Sequence, residues 1–560
     1  MGIATAVVYS EPDRNSMATR MADEAYFIGG SSASQSYLNV DSVLLALSRS
    51  QADALHPGYG FLSENADFAQ AVADAGKVFI GPSPSAMKVM GDKISARKTA
   101  EEAGVQGVPG RSHCVNSAQD VIDFAQEVDW PVAIKAAYGG GGRGMKVINS
   151  ASEAESGIES TQREALASFG RSEIYLEKYL SWPRHIEAQI AIDKFGNGIF
   201  LGERDCSCQR RHQKLLEECP APGLSPKVRQ AMGQAALKIA KHCGYENLGT
   251  IEFLYEKDKF YFLEMNTRLQ VEHPVTEMTT GLDLVRLQIE IAAGQSIKDK
   301  KATFDPNMHS IECRINAEDV SGGLFSPTPG TITQFDTPGG LGIRLDAGYQ
   351  SGDSLPSFYD NLVAKLISWG PNRQIAIKRM LQALTEIKIQ GIKTNIEAHK
   401  AILDHKDFQD NNYSTKWVEE KLNFSNISSL ETTSPNKQLA LQEQQIQAEV
   451  NGKLFNVKLW ISPNSQLPQA IPAQASKPLS RSSRKHHGSA SKTVIAPMQG
   501  VITKIAVEVG QSIAQGEIIC VLEAMKMENN VLADQNGVVK EILVSVGDSL
   551  SNGDTIIIFE

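Results

Sequence analysis

The last seventy residues repeat themselves. Shifting the chain by 37 positions lays Ala496 on Ala533, Gly500 on Gly537, Val509-Gly510 on Val546-Gly547, Gly516 on Gly553 and Glu523 on Glu560. Each copy reads as short alternating strands between Gly turns, which implies two interlocked halves of a small β-sandwich or flattened barrel. Between the copies, at a turn, stands Ala524-Met525-Lys526-Met527-Glu528. A lysine on a turn is ordinarily a solvated charge. Here two methionines flank it, and exposed apolar residues are not what folding alone favours at such a place. A projecting lysine with a distinctive collar suits covalent modification by another enzyme.

Upstream of the repeat, residues 462–490 are Pro, Ala, Ser, Arg and Lys with almost no large apolar side chains. Such a composition cannot bury enough surface to fold and predicts a linker; His486-His487 inside it reads as solvated basic chain rather than a metal site. About thirty residues of this kind reach roughly 30 Å on average and about 100 Å fully stretched. The whole chain, 560 residues, is too long for one core. Short apolar strands (Ala6–Tyr9, Ala52–Leu55, Val78–Ile80) alternate with helical stretches such as Asp67–Ala75, so residues 1–90 read as an α/β unit with a parallel sheet. A larger mixed α/β stretch covers 91–307, an α+β segment with a helix around Gln374–Ile387 covers 308–422, and 423–490 hold a hairpin around Asn451-Gly452 before the linker. Residues 491–560 form the repeat domain.

A net charge of -10 opposes general binding to nucleic acid or membrane surfaces. No apolar run approaches the roughly 20 residues of a membrane helix. Met1-Gly2-Ile3-Ala4-Thr5 lacks the features of a secretory or transit peptide. The 7 cysteines are scattered, with Cys206 and Cys208 the only close pair, so buried reduced thiols in a cytoplasmic protein are expected rather than a zinc site.

Three stretches carry chemistry. In the first, Pro131-Val132-Ala133-Ile134-Lys135 predicts a strand, followed by Gly139-Gly140-Gly141-Gly142-Arg143-Gly144. Backbone free of side chains can close over phosphates and Lys135 offers a point charge, although the spacing is neither a Walker loop nor a dinucleotide fingerprint. Lys93, in Met90-Gly91-Asp92-Lys93, is a second candidate phosphate lysine. In the second, Gly249–Leu254 and Phe260–Asn266 predict a hairpin across Glu256-Lys257-Asp258-Lys259, which brings Glu252 close to Glu264. If the strand continued, Glu264, Asn266, Arg268, Gln270 and Glu272 would share one face. Two carboxylates and an amide are hard oxygen ligands suited to Mg²⁺ on nucleotide phosphates. An exposed face of alternating charge is the plain alternative, weakened by the aromatic Phe260–Phe262. The third stretch, Glu203–Lys214, carries Arg210, Arg211, His212 and Lys214. It lacks the aromatic interleaving of a nucleic-acid surface and fits an anion site better.

These residues, with His56–Asn65, Glu203–Glu218, Glu264–Glu277 and Glu312–Asp319, resemble the biotin carboxylase family within the ATP-grasp fold, over residues 1 to about 422. Glu523–Met527, with Pro497-Met498 and Gly537, resembles the attachment motif of biotin carboxyl carrier domains; lipoyl domains share that fold but usually carry Asp-Lys-Ala there. The two together, with Asp360–Lys365, are similar to the α subunit of bacterial acetyl-/propionyl-CoA carboxylases, with a methylcrotonyl-CoA carboxylase α subunit as a close rival. The expected fold class is α/β and α+β: a biotin carboxylase with an ATP-grasp core, plus a C-terminal all-β biotinyl domain.

What the resemblance implies is specific. Lys93, Lys135, Gly141, Gly142, His185, Gln209 and His212 would hold ATP, with Glu177, Lys178, Tyr179 and Leu180 at the adenine. Glu252, Glu264 and Asn266 would bind Mg²⁺ or Mn²⁺. Lys214, Arg268, Gln270 and the backbone of Val271 would hold bicarbonate, with Glu272 as its base. Arg314 would face the ureido oxygen of biotin, and Lys526 would carry the biotin, attached by a biotin protein ligase. A carboxyltransferase has no room on this chain, so a separate β subunit is expected, and oligomers are usual in the family. The family also places a further strand and helix ahead of the segment matching Gly2–Tyr9, so residues 1–90 are expected to be short of them, with a wrong start or a damaged protein as the two explanations. Two other classes stay open: a carrier protein whose carboxylase half is only a scaffold, and an ATP-grasp ligase for another acceptor with a lipoyl-like appendage.

Overall fold

The computed structural model describes residues 1–111, 115, 117–136, 145–169, 172–300, 308–425, 427, 442–450, 453–461, 493–496, 500–524, 527–550 and 553–559. Contacts divide the chain into two units, Met1–Ser428 and Ser429–Glu560. Gly141, Gly142, Lys526 and the whole 462–490 segment lie outside the described residues.

In the first unit, β1 (Ala6–Ser10) pairs with β2 (Glu24–Gly29) and β3 (Ala54–Leu55) with β4 (Val78–Phe79), each in parallel. The expected single parallel sheet is therefore two separate two-stranded pairs, because no strand among the described residues lies between them. Parallel strands are normally covered on both faces; here Phe27 of β2 is half exposed.

A small four-stranded sheet follows, in the order β5 (Gly110–Arg111), β8 (Ile174–Lys178), β6 (Val132–Ala136), β7 (Met145–Ile148). Its apolar side, including Val132, Ile134, Ile148 and Leu176, packs on Val121, Phe124 and Ile158 of two helices. The eight-stranded sheet that organises the unit runs β13 (Lys259–Asn266), β12 (Asn247–Glu256), β9 (Arg184–Ile192), β10 (Gly198–Arg210), β11 (Gln213–Cys219), β14 (His309–Asn316), β16 (Leu362–Gly370), β15 (Ile343–Ala347), every neighbouring pair antiparallel. Period-two alternation decides what each face holds. On β9, Ile186, Ala188, Ile190 and Ile192 enter an apolar core with Ile251 and Phe253 of β12, while His185, Glu187 and Gln189 take the other face. On β14, Ile311, Cys313 and Ile315 join a second core that includes Trp417 and Met380, leaving Glu312 and Arg314 opposite. The sheet thus has an oily side under helices and a charged side that is equally buried.

In the second unit, Gln442–Val450 and Lys453–Ile461 pair as a hairpin. The repeat region builds two four-stranded sheets. One takes Thr493–Ile495, Thr555–Phe559, Gly537–Ile542 and Ser512–Ile513 in spatial order; the other takes Met527–Leu532, Ile518–Ala524, Gly500–Ile505 and Ser549–Leu550. Each sheet has two central strands from one copy and its edges from the other, so the copies interlock around one core containing Ile502, Ile519, Leu522, Val539 and Ile557. Ala524 pairs with Met527 across the hairpin in whose connection the candidate lysine falls. Among the described residues no helix is long and apolar enough to cross a membrane, and Cys206, Cys208, Cys219, Cys313 and Cys520 are free buried thiols.

Candidate active site

The charged face of the large sheet gathers its side chains from neighbouring strands. The hairpin register sets Glu252 of β12 directly opposite Glu264 of β13, and opposite Glu187 of β9 on its other side. The β12–β13 register slips between Glu252 and Phe253. A bulge of this kind re-aims side chains beside it. Lys214, near the start of β11, reaches across three strands. Its Nζ donates to Glu187 Oε2 at 2.7 Å, Glu252 Oε1 at 3.2 Å and Glu272 Oε1 at 2.6 Å. Burial works against a charged amine, yet these carboxylates hold the ammonium form far above its ordinary range.

Glu272 is the hinge of the arrangement. Its second oxygen accepts from Arg314 Nη2 at 2.9 Å, and Arg314 Nε donates to Glu217 Oε1 at 2.6 Å. Although burial favours the neutral acid, Lys214, Arg314 and Arg204 keep the Glu272 carboxyl well below the usual range, so it is ionised. Gln270 Nε2 donates to Glu252 Oε1 at 3.1 Å, and Asn266 Nδ2 to the same oxygen at 2.8 Å. The expected continuous strand from Glu264 to Glu272 ends at Asn266. A turn follows, and α2 begins at His273 (His273–Thr280), α1 being Lys93–Glu102. The side chains of Asn266, Gln270 and Glu272 still converge, but through this turn rather than through period-two alternation. Arg268 sits at the edge of the face: its Nη2 donates to Asn266 Oδ1 at 2.9 Å and its Nε lies 3.2 Å from Glu64 Oε2. The carbonyl of Val271 accepts from Lys365 Nζ at 2.9 Å.

The residues expected to meet ATP are less tightly bound. Lys135 on β6 pairs with Glu177 on β8, which also lies 3.8 Å from Arg97. Lys93 is exposed at the first turn of α1, whose Asp92 cap accepts from the Ser95 N–H at 2.8 Å. His212 sits on an exposed turn with φ +63°, while Gln209 is buried and donates to the Cys206 carbonyl at 3.4 Å. Lys178 donates to the Val128 carbonyl at 2.7 Å, Tyr179 lies under Lys416 Nζ at 4.0 Å, and Leu180 packs with Val108 and Tyr261. His185 is buried with its Nε2 3.0 Å from Glu252 Oε2; burial opposes its charge, but Glu252 raises its pKa above the ordinary value.

Glu252, Glu264 and Asn266 fit a divalent cation by donor chemistry. All three offer hard oxygen. Burial, and then the facing charge of Glu252, push the Glu264 carboxyl above its ordinary range, and Glu264 makes no ion pair among the described residues. A cation between them would relieve that repulsion.

Sequence reasoning passed over two residues at the centre. Arg204, fully buried on β10, donates from Nε to Glu187 Oε1 at 2.5 Å, from Nη1 to Gln189 Oε1 at 2.7 Å and Thr276 Oγ1 at 3.0 Å, and from Nη2 to Gln270 Oε1 at 2.7 Å and Thr250 Oγ1 at 3.3 Å. Glu187 ties it to Lys214. The signal was present in the alternation His185, Glu187, Gln189 against Ile186, Ala188, Ile190, a strand polar on one face inside an otherwise apolar run.

Residues 1–87 match the family described as the biotin carboxylase N-terminal domain, 92–300 the ATP-binding domain of the carbamoyl-phosphate synthase L chain, 312–420 the biotin carboxylase C-terminal domain, and 492–559 the biotin-requiring enzymes. The chain is 43% identical to the biotin-dependent acyl-coenzyme A carboxylase alpha3 subunit of Mycobacterium leprae, over 94% of this chain and 90% of the relative. It is 47% identical to the biotin carboxylase of Haemophilus influenzae, over 75% of this chain and 94% of the relative. Among solved structures, the biotin carboxylase domain dimer of the Hydrogenobacter thermophilus 2-oxoglutarate carboxylase, in complex with MgADP, ADP and bicarbonate, superposes with a TM-score of 0.68 at 42% identity, covering 76% of this chain and 94% of that one. The chain belongs to the biotin carboxylase family, as a biotin-dependent acyl-CoA carboxylase alpha subunit that joins an ATP-dependent biotin carboxylase of ATP-grasp fold to an all-β biotin-carrying domain.

Proposed function

We propose that the charged face joins bicarbonate to biotin carried on Lys526, as the first half-reaction of an acetyl- or propionyl-CoA carboxylase. The observation that carries this reading is the position of Lys214 among Glu187, Glu252 and Glu272, with Arg314 on the far oxygen of Glu272.

Bicarbonate is a poor electrophile and ATP must activate it. Lys214, Arg268, Gln270 and the Val271 backbone N–H hold the anion, and Glu272, kept ionised by its two cations, accepts its proton. The freed oxygen then attacks the γ-phosphorus, releasing ADP and leaving carboxyphosphate, the source of CO₂. Lys93, Lys135, His185, Gln209 and His212, with Gly141 and Gly142, would hold the triphosphate, and residues 177–180 would border the adenine. Mg²⁺ or Mn²⁺ at Glu252, Glu264 and Asn266 would neutralise phosphate charge. Biotin, when present, supplies the ureido nitrogen that takes up CO₂. Arg314 presents a fixed positive charge where the ureido oxygen becomes negative. An acyl-CoA must then be carboxylated by a carboxyltransferase β subunit, with both proteins in the cytoplasm.

The test is transfer of label from ¹⁴C-bicarbonate to the full-length chain with MgATP. Label on Lys526 is expected, as is loss of free-biotin carboxylation by at least tenfold in Arg314→Ala. Absence of label from a chain carrying biotin would leave a carrier with an inactive carboxylase half. Pull-down of the partner, followed by assay on acetyl-, propionyl- and methylcrotonyl-CoA, separates the acyl specificities.

A further inference from the structure

Beside Arg314, whose Nε and Nη2 already meet Glu217 and Glu272, two glutamates face each other across neighbouring strands. Glu217 of β11 and Glu312 of β14 are direct cross-strand partners in a continuous antiparallel register, flanked by Leu216 opposite Cys313 and Glu218 opposite Ile311. Both side chains are 0% exposed. Glu217 Oε1 accepts from Arg314 Nε, but its Oε2 has no hydrogen-bond partner, and neither oxygen of Glu312 has one. Like charges directly opposite on neighbouring strands repel, and a buried carboxylate without partners is costly. The charged and titratable groups around the pair are Arg314, Lys214, Lys365, Glu272 and Tyr59, with the thiols of Cys206, Cys208 and Cys313. Lys365 acts on Glu312 through its charge alone: its Nζ donates to the Val271 carbonyl and lies 4.0 Å from Asp346 Oδ2, and it makes no hydrogen bond to Glu312. Two cations, Arg314 and Lys214, already face Glu272 and Glu217; a further full charge on Glu312 would leave the guanidinium surrounded by three anions.

We propose that Glu217 and Glu312 carry one proton between them and act as a positioning pair for Arg314, Glu217 holding the guanidinium as the ionised member while Glu312 stays neutral. The pair thereby holds the arginine with one anion from this side and adds no second one. Burial raises both carboxyls, Glu217 to about 7, with Arg314 pulling back, and Glu312 far above its ordinary value. The inference rests on the proposed role of Arg314 and adds the state of the groups behind it.

The test uses the holoenzyme and four variants. Glu312→Gln keeps volume and neutrality, and its biotin-dependent rate is expected within twofold of the parent at neutral pH, with the alkaline limb of the pH profile displaced upward. Glu217→Gln removes the anion on Nε, and kcat/KM for free biotin should fall at least tenfold while bicarbonate-dependent ATP hydrolysis without biotin changes less than threefold. Glu217→Asp should restore part of the loss. Infrared difference spectra of parent against Glu312→Gln should show a protonated-carboxyl band in the parent alone. Absence of that band, or a tenfold loss in Glu312→Gln, overturns the shared proton; a normal Glu217→Gln enzyme overturns the positioning. A normal Arg314→Ala enzyme would remove the proposed role of Arg314, while the infrared band would still decide the protonation.

Discussion

Lys214 and Lys135 are both strand lysines assigned to anionic substrate atoms, and they stand in opposite surroundings. The side chain of Lys214 is 13% exposed and touches three carboxylates contributed by β9, β12 and the turn before α2. Lys135 is 31% exposed and meets one, Glu177, on a sheet of its own. Around Lys214 the partners are themselves bonded: Glu187 to Arg204, Glu252 to Gln270 and Asn266, Glu272 to Arg314. Removing any member leaves others uncompensated. Around Lys135 the contacts lead through Glu177 to Arg97, which pairs with Glu101 on its own exposed helix face and donates to the Val108 carbonyl. The end proposed for bicarbonate is thus arranged in advance, as electrostatic catalysis requires. The end proposed for the nucleotide leaves Lys135 with one partly solvated partner, which phosphates would add to.

The largest expected effect therefore falls on Lys214→Ala. Three buried carboxylates would lose their common cation, which costs on the order of 3–5 kcal/mol when one partner of a buried ion pair is deleted. Thermal or denaturant unfolding should show that loss, and bicarbonate-dependent ATP hydrolysis should drop about 100-fold or more. A variant as stable as the parent would mean that water reaches these carboxylates and that the contrast with Lys135 is not one of burial.

The next effect tests how rigidly the biotin end is backed. The Arg314 carbonyl accepts from Asn395 Nδ2 at 3.0 Å and from His399 Nε2 at 2.8 Å, both from the α4 region (α4, Ile396–Asp404; α3 is Arg373–Glu386). With Nε2 donating, Nδ1 is the unprotonated nitrogen, and it is buried without a partner. Burial, partly opposed by the Arg314 carbonyl, lowers the His399 pKa from 6.5 to about 4. The unfolded chain therefore binds more protons between pH 6.5 and 4, so stability is present above 6.5 and is lost as pH falls through that window. A lowering of that size corresponds to about 3 kcal/mol. His399→Gln can still donate to the carbonyl but does not titrate, so its melting temperature should fall less than the parent's between pH 7 and 4.5. Parallel acid profiles for the two proteins would show that His399 is not held neutral by the fold.

Much of this arrangement was readable from residues. The shift of 37 positions anticipated the interlocked sheets, because strands Gly500–Ile505 and Gly537–Ile542 recur at that spacing. The Glu252–Glu264 pairing followed from one polar turn between two apolar runs. What failed was extrapolating alternation past Asn266: Pro274 at the start of a helix, following Glu272 and His273, is a signal that the strand has already ended. Arg204 and Glu187 were only half visible: the alternation along β9 marks a polar face, but not what packs against it. Their importance lies in contacts across β9, β10 and α2, and strand order within an eight-stranded sheet is a tertiary property that no local pattern records. The two parallel pairs of residues 1–90 likewise depend on what lies between them.

The smallest expected effect on stability, and the sharpest test of the contrast, belongs to Lys135→Ala. Its ion pair with Glu177 is partly solvated on the lysine side, and such pairs contribute about 0–1 kcal/mol. The melting temperature should hardly move, and added salt should narrow the remaining difference, since screening acts on exposed charges first. KM for ATP should nevertheless rise about tenfold, because the phosphate charge that Lys135 would meet is present only when nucleotide is bound. If Lys135→Ala instead unfolds as readily as Lys214→Ala, the pair with Glu177 is part of the fold's own framework, and the nucleotide end is as preassembled as the bicarbonate end. If KM for ATP is unchanged, Lys135 serves Glu177 alone and the phosphates are held by other cations, of which Lys93, exposed at the first turn of α1, is the first to examine.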